Sequence, residues 1–267
     1  MPGVRVVKAH AYGNDFVCAP AADAGPDPPA LARAICHRHH GIGADGLVLY
    51  TLRERGASMT LLNADGSWSE LSGNGLRCLA AIVARDQALP PDAVVAIETD
   101  AGVKRLHLLS RDDQRYTFRA AMGPPANLRQ ERIDVLGESV TASLLEIGNP
   151  QCVVLGPLPD AGRFNRLAPA LATHSLFPAG TNVEFAHVER PDRVRIVIWE
   201  RGVGPTTSSG TGSSASAVAA AAHGGASRTV DVVAPGGVQR VEWREDGVHL
   251  TGWAEVTLEG VWVGKPA

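Results

Sequence analysis

The 267-residue sequence is poor in aromatic residues, in charge of one sign and in long apolar runs. Phe, Trp and Tyr together make up 5% of it, which argues against a surface on which nucleic-acid bases stack. The 25 Lys and Arg residues nearly balance the 28 Asp and Glu residues, so no broad positive field attracts phosphate backbones. No apolar stretch approaches the ~20 residues of a membrane span, and the first residues lack the apolar core of a signal peptide. We therefore expect a cytoplasmic protein with no nucleic-acid or membrane partner.

Cysteine is scarce as well. The four cysteines form no Cys-x-x-Cys pair, which argues against zinc ribbons and thioredoxin-like motifs; they are Cys18, Cys36, Cys78 and Cys152. In a reducing compartment, scattered cysteines are usually small buried apolar residues, and we expect this of all four. The composition, 45% apolar and 20% charged, is that of a globular protein of one large or two small domains.

The chain contains one pattern twice. In each half a strand leads into a polar loop, Ser-Gly-Asn-Gly or Ser-Gly-Thr-Gly, which is followed by an apolar helix. The two loop serines, Ser72 and Ser209, are 137 residues apart, about half the chain length. This repeat predicts two pseudo-equivalent α/β halves, each with a sheet wrapped on one helix. Elsewhere we expect a helix that runs to the break at Gly41–Gly43, and a series of short strands at the end of the chain.

A glycine-rich loop before a helix exposes several backbone N–H groups at the positive end of the helix dipole. Such a loop binds an anion, for example a carboxylate. Two helix starts on one carboxylate would also stabilise the charge that develops when a proton leaves the neighbouring carbon. The simpler interpretation is that both loops are only glycine turns before buried helices.

Seven segments together resemble the diaminopimelate epimerase family, in the same order and over the span from Lys8 to Gly260. They are KAHAYGNDFV, HHGIGADGLVL, LLNADGSWSELSGNGLRCLA, GNPQCVV, FPAGTNVEFAHV, WERGVGPTTSSGTGSSASA and the terminal TGWAEVTLEG. The resemblance implies two pseudo-symmetric α/β halves, each a mostly antiparallel sheet around a central helix. The expected halves are residues 1–117, completed by a strand near 258–267, and residues 118–257, with the active site in the cleft between them.

The resemblance also implies an enzyme that inverts the α-carbon of a small amino acid without metal, pyridoxal phosphate or nicotinamide. A homodimer is left open. Glu200 matches a carboxylate near the reacting centre. Four loop residues match those that hold the reacting carboxylate: Gly73, Asn74, Gly210 and Thr211. Five others match residues that hold the rest of the substrate: Asn14, Asn63, Asn149, Asn182 and Arg201. A turn-capping role is the alternative for the Asn residues, above all for Asn14 and Asn149.

The sequence departs from the family at the residues that carry the chemistry. Serine stands at both catalytic cysteine positions, Ser72 and Ser209, and Gln151 stands where the family has a histidine. A free thiol has a pKa of about 8.5, whereas the pKa of an alcohol is far higher, near that of water; the gap is about 10 kcal/mol at 1.36 kcal/mol per pKa unit. A helix dipole contributes about 1 kcal/mol, so two isolated serines cannot replace two thiols.

Three explanations stay open from the sequence. The serines are engineered replacements in an epimerase, although Gln151 argues against this. Alternatively, the chain is a natural serine-bearing branch, in which Glu200 or a water is the base and the serines bind or relay protons. Such a branch would catalyse a one-base isomerisation, a proton shift or an elimination, and the phenazine-biosynthesis isomerases are similar in fold and use a carboxylate. In the third explanation the chain binds an amino acid without turnover.

Other polar clusters are expected to be structural. The run of His37, His39 and His40 leaves a helix without an acidic or Cys partner, so we interpret it as a cationic helix end rather than a metal site. Asp45 and Glu70 are expected to be structural or loop residues.

Overall fold

The computed structural model describes residues 3–69 and 72–264. Glu70 and the last three residues of the expected strand near 258–267 lie outside the described residues. Within the described part, four α-helices form: α1 (Pro28–Cys36), α2 (Gly73–Asp86), α3 (Ala161–Ala172) and α4 (Gly210–His223). The strands of the first half are β1 (Val4–Ala11), β2 (Asn14–Pro20), β3 (Gly46–Arg53), β4 (Gly56–Asn63), β5 (Trp68–Ser69), β6 (Val94–Thr99), β7 (Gly102–Asp112) and β8 (Arg115–Gly123). Those that follow are β9 (Ala126–Val135), β10 (Glu138–Glu146), β11 (Pro150–Leu155), β12 (Asn182–Arg190), β13 (Arg193–Glu200), β14 (Gly204–Thr206), β15 (Thr229–Ala234), β16 (Gly237–Arg244) and β17 (Gly247–Trp262).

The chain divides into two compact units. Unit 1 is the chain up to Ala120 together with the segment from Gly252 onward, and unit 2 is Ala121–Thr251. In unit 1, β1–β2 pair antiparallel, β2–β3 parallel, β3–β4 antiparallel, β4–β6 parallel, and β6–β7 and β7–β8 antiparallel. Unit 2 repeats this order with β10–β11, β11–β12, β12–β13, β13–β15, β15–β16 and β16–β17. The expected fold class, two pseudo-symmetric halves with mostly antiparallel sheets, is confirmed.

Each unit encloses one helix. In unit 1, α2 is buried from Asn74 to Ala84 and packs in the core with strand residues such as Phe16 and Leu106. In unit 2, α4 is buried from Gly212 to Ala220, and its sequence is almost entirely Ala, Ser and Gly. Because these side chains are small, strands can approach α4 closely on all sides. Helices α1 and α3 pack in separate clusters that do not include α2 or α4.

Two elements differ from the expectation. Helix α1 ends at Cys36 and not at the Gly41–Gly43 break, because His37 is extended, with φ −63° and ψ 121°. The following turn folds back onto the helix end, where a Cβ at Gly41 would lie 2.3 Å from the Ala34 carbonyl oxygen. The chain also ends in one strand of 16 residues, β17, rather than in short strands only. Among the described residues, no helix is long and apolar enough to cross a membrane.

Candidate active site

Ser209 begins helix α4. Its extended backbone (φ −138°, ψ 129°) places its Oγ to accept a hydrogen bond from the Gly212 N–H at 3.2 Å. The first backbone bond of the helix runs from the Ser213 N–H to the Ser209 carbonyl oxygen, at 3.1 Å. The N–H groups of Gly210 and Thr211 precede that bond, so the helix itself cannot satisfy them. They lie at the positive end of a buried helix, which is a position suited to an anion.

Glu200, the last residue of β13, is the acidic partner of Ser209. Its carboxyl accepts a hydrogen bond from the hydroxyl of Ser209. Burial raises the pKa of Glu200, and the hydrogen bond from Ser209 opposes that rise without cancelling it. The hairpin between β13 and β14 explains the geometry, since it pairs Ile198 with Thr206 and Glu200 with Gly204. A carboxylate with a raised pKa, bonded to an alcohol, is a stronger base than an ordinary Glu.

The predicted ligand residues of unit 2 lie at the ends of neighbouring strands. The parallel register of β11 and β12 pairs Gln151 with Asn182, and the Gln151 amide donates to Asn149 Oδ1. Asn182 Oδ1 accepts the Arg201 backbone N–H at 2.9 Å. The Arg201 guanidinium donates to the Ala179 carbonyl oxygen at 2.7 Å and is otherwise exposed.

Unit 1 contains the same helix start. Ser72 has φ −129° and ψ 121°, and its Oγ accepts the Gly75 N–H at 3.1 Å. A Cβ built on Gly73 would meet no atom within 4 Å, so there is free space beside the first residue of α2. Among residues 3–69 and 72–264, no carboxyl is hydrogen-bonded to Ser72. The two serines therefore share a backbone role and differ in their acidic neighbour.

Asn14 and Asn74 are brought together. Asn74 Nδ2 donates to Asn14 Oδ1 at 3.1 Å, and Asn14 Nδ2 donates to Asp45 Oδ2 at 2.7 Å. Arg77, which is 3% exposed, donates a hydrogen bond to Asn74 Oδ1. This chain of contacts fixes the orientation of both amides, whereas the amide of Asn63 donates to Ser67 Oγ at 2.9 Å in its own turn.

The sequence reasoning missed the ionic network that supports Asn14. Arg38 bridges Asp15 and Asp45 at 2.9 and 2.6 Å, and Lys8 lies 2.9 Å from Asp15. The two cations lower the pKa of Asp15 against the opposing effect of burial. The signal was present as Asp15 and Asp45, which follow turn residues at the ends of predicted strands.

The sequence reasoning also missed Glu184, which is completely buried in β12. A carboxylate in the apolar run Asn-Val-Glu-Phe-Ala was the available signal, because a charged residue amid buried strand residues is rarely accidental.

The remaining clusters do not form a second site. The expectation that all four cysteines are buried is confirmed, and burial raises the pKa of Cys36 and of Cys78 to about 12. His37 Nδ1 accepts from the backbone N–H groups of His39 and His40, so the histidines shape the turn after α1. In the part of the chain that the structure describes, no group of three or more His, Cys, Asp or Glu side chains could hold a metal ion.

Comparisons with known proteins agree with this architecture. A family model described as diaminopimelate epimerase matches residues 6–128 and 143–257. The diaminopimelate epimerase of Desulfitobacterium hafniense is 40% identical over 280 residues, which cover 97% of this chain and 98% of the relative. That of Desulforudis audaxviator is 42% identical over 283 residues, covering 97% and 99%. A solved structure of a probable proline racemase from Agrobacterium radiobacter has a TM-score of 0.71 at 18% identity, and covers 98% of this chain and 94% of that chain.

The likeness to the racemase structure shows the fold, and with it the class: an α/β protein of two repeated units, each built on a buried helix. In this chain both helices start at a Ser-Gly-x-Gly sequence. The family match extends over most of the chain, and the relatives exceed one-third identity over nearly all of it. The chain belongs to the diaminopimelate epimerase family, a family of isomerases. The resemblance stated from the motifs is confirmed, while the roles of the individual site residues stay predictions.

Proposed function

We propose that this member of an isomerase family removes and returns the α-proton of a small amino acid without a cofactor, with Glu200 as the base acting through Ser209. Diaminopimelate is the first substrate to test, because the relatives with 40% and 42% identity are diaminopimelate epimerases. The observation that carries the proposal is the hydrogen bond from Ser209 to the half-buried Glu200 at the N-terminus of α4.

The proposed proton path removes the main objection to serine. As the Ser209 oxygen takes the α-proton, its own hydroxyl proton passes to Glu200, so no free alkoxide forms. The electron pair of the broken C–H bond moves into the substrate carboxylate, whose charge the Gly210 and Thr211 N–H groups would stabilise. The reverse transfer returns a proton to carbon. A base with a raised pKa favours this transfer near neutral pH.

The other predicted residues would hold the substrate. We assign the α-carboxylate to the start of α4 at Gly210–Thr211, which lies at the positive end of the helix dipole. Gly73–Asn74 offers the same kind of anion site at the start of α2 in unit 1. Arg201 would offer its guanidinium to the distal carboxylate as a bidentate donor. In unit 2 the amides of Asn149 and Asn182 would bind the remaining amino and carboxylate groups, and in unit 1 Asn14 and Asn63 offer amides of the same kind.

The experiment is deuterium exchange at the α-carbon. LL- and meso-diaminopimelate are incubated with the protein in D₂O, and the α-proton signal and the stereochemistry are followed by NMR and chiral chromatography. We expect exchange, and a loss of at least about 100-fold in Glu200→Gln, as for removal of a general base. Glu189→Gln is the matched control, because Glu189 is held by Arg193 and Arg195 at the far end of β12. No exchange with any diamino acid that binds would refute the proposal.

Restoring the thiols tests why serine matters. Ser72→Cys/Ser209→Cys should add inversion to exchange, because a thiol can act as acid and base on its own face. Gln151→His should be added, since the family has a histidine at that position. A triple variant that exchanges the proton with unchanged stereochemistry would count against two-face chemistry in this chain.

One observation favours a second candidate, an amino-acid-binding protein without turnover. Both serine oxygens accept the N-cap hydrogen bond of their helix, which is a sufficient structural reason for serine at each position. Calorimetric binding of diaminopimelate without α-proton exchange would select this candidate over the isomerase.

A further inference from the structure

Glu184 lies on the face of β12 that packs against α4. Alternate residues of a strand point to opposite sides. Val183 and Phe185 pack in the cluster that contains α3, whereas Ala186 packs in the cluster that contains α4. Glu184 therefore shares the α4 side with Ala186, although its carboxyl takes no part in the apolar core.

The carboxyl reaches the first turn of α4. A Cβ built on Gly212 would lie 2.6 Å from Glu184 Oε1 and 3.2 Å from the Ser209 Cβ. The Gly212 N–H also donates the N-cap hydrogen bond of α4 to Ser209 Oγ. The absence of a side chain at this position thus makes room for a buried acid directly beside the proposed proton path.

Glu200 lies on the same face of the sheet. The antiparallel register pairs Glu184 with Ile198, and Glu200 follows Ile198 by two residues. The Glu200 charge opposes ionisation of Glu184, which is 0% exposed and therefore also loses its hydration when it ionises. Among the described residues, Cys152 on β11 is a further titratable group near Glu184, and burial together with Glu184 raises the pKa of its thiol. The first turn of α4 presents Ser209 and Ser213, which do not titrate.

We propose that Glu184 is a positioning residue of this site, which as a neutral acid leaves the negative charge on Glu200 and leaves the N-terminus of α4 to the substrate carboxylate. This inference rests on the proposed function. An ionised Glu184 would occupy the positive end of the helix dipole and repel an incoming anion. Burial and the Glu200 charge both raise the pKa of Glu184, in agreement with the neutral form.

The test is a carbon NMR titration of the substrate-free protein labelled with ¹³C-glutamate, compared with Glu184→Gln and Glu200→Gln. We expect the Glu184 carboxyl signal to stay at its protonated position through neutral pH. The midpoint of Glu200 should then move by less than about 0.3 unit in Glu184→Gln, because one neutral group replaces another. In Glu200→Gln the midpoint of Glu184 should fall by about one unit or more.

A Glu184 signal at the carboxylate position at neutral pH would overturn the inference, as would a fall of about one unit in the Glu200 midpoint of Glu184→Gln. If Glu184→Gln does not fold, the Glu184 midpoint in Glu200→Gln alone decides between the two outcomes. The titration contains no substrate, so it tests the protonation state of Glu184 separately from the proposed function. Failure of the proposed function would instead appear as a lack of α-proton exchange.

Discussion

The two serines provide a matched pair of substitutions, Ser72→Ala and Ser209→Ala. Each removes an N-cap acceptor, which costs about 1 kcal/mol of unfolding free energy. Ser209→Ala also removes a donor to the half-buried Glu200, and a hydrogen bond to a charged group is worth about 1.5–3 kcal/mol. We therefore expect Ser209→Ala to be more destabilising than Ser72→Ala at neutral pH, by about that second amount.

The additional destabilisation of Ser209→Ala over Ser72→Ala should depend on pH. Because the Ser209 hydrogen bond lowers the pKa of Glu200, its loss raises that pKa further. When Glu200 is protonated the bond becomes a neutral one, worth about 1 kcal/mol, so the gap between the variants should narrow on acidification. Urea denaturation followed by tryptophan fluorescence at neutral and mildly acidic pH measures both effects. Equal destabilisation by the two substitutions at both pH values would refute the assignment of Ser209 to Glu200.

Three other predictions concern the same unit. Gly212→Ala should be less stable than Gly75→Ala by about 1–3 kcal/mol in urea denaturation, because its Cβ would meet Glu184 Oε1 at 2.6 Å whereas the nearest contact at Gly75 is 3.3 Å. The free energy of unfolding should fall as pH rises above the usual Glu pKa, because Glu184 keeps its proton in the folded state and loses it in the unfolded state. Glu184→Gln should reduce the slope of this fall by up to about 1.4 kcal/mol per pH unit. Asn182→Ala should cost about 1–3 kcal/mol, because it leaves the Arg201 N–H without its acceptor, and thermal unfolding would detect this.

The repeated architecture could be predicted because two signals coincide in each half. A serine N-cap followed by glycines and an apolar run marks the starts of α2 and α4, and both helices begin at the expected glycines. The strand β9 gave no such signal, because its residues are mostly exposed or half-buried until Ile133. The length of β17 was hidden by Gly252, which reads as a turn residue. Its lack of a side chain instead leaves room for Tyr12, whose hydroxyl would lie 3.1 Å from a Cβ there.

The sequence motifs could predict which residues belong to the site, but they could not predict the contacts between those residues. The sequence motifs indicated Glu200 and Ser209 separately, but the hydrogen bond between them depends on the hairpin of β13 and β14. Glu184 was overlooked because a strand pattern does not tell which face meets a helix end. That information comes from packing, through Gly212 and the separation of the two core clusters.

The capping contacts of the two hydroxyls have a further consequence. Sulfur accepts hydrogen bonds weakly, so each thiol restored at these positions should weaken the start of the helix at the centre of its unit. The reactivity of the site and the stability of the helix starts therefore make opposite demands on the side-chain atoms at positions 72 and 209. A search for a more active variant is expected to yield a less stable one, unless it adds compensating changes elsewhere in the unit.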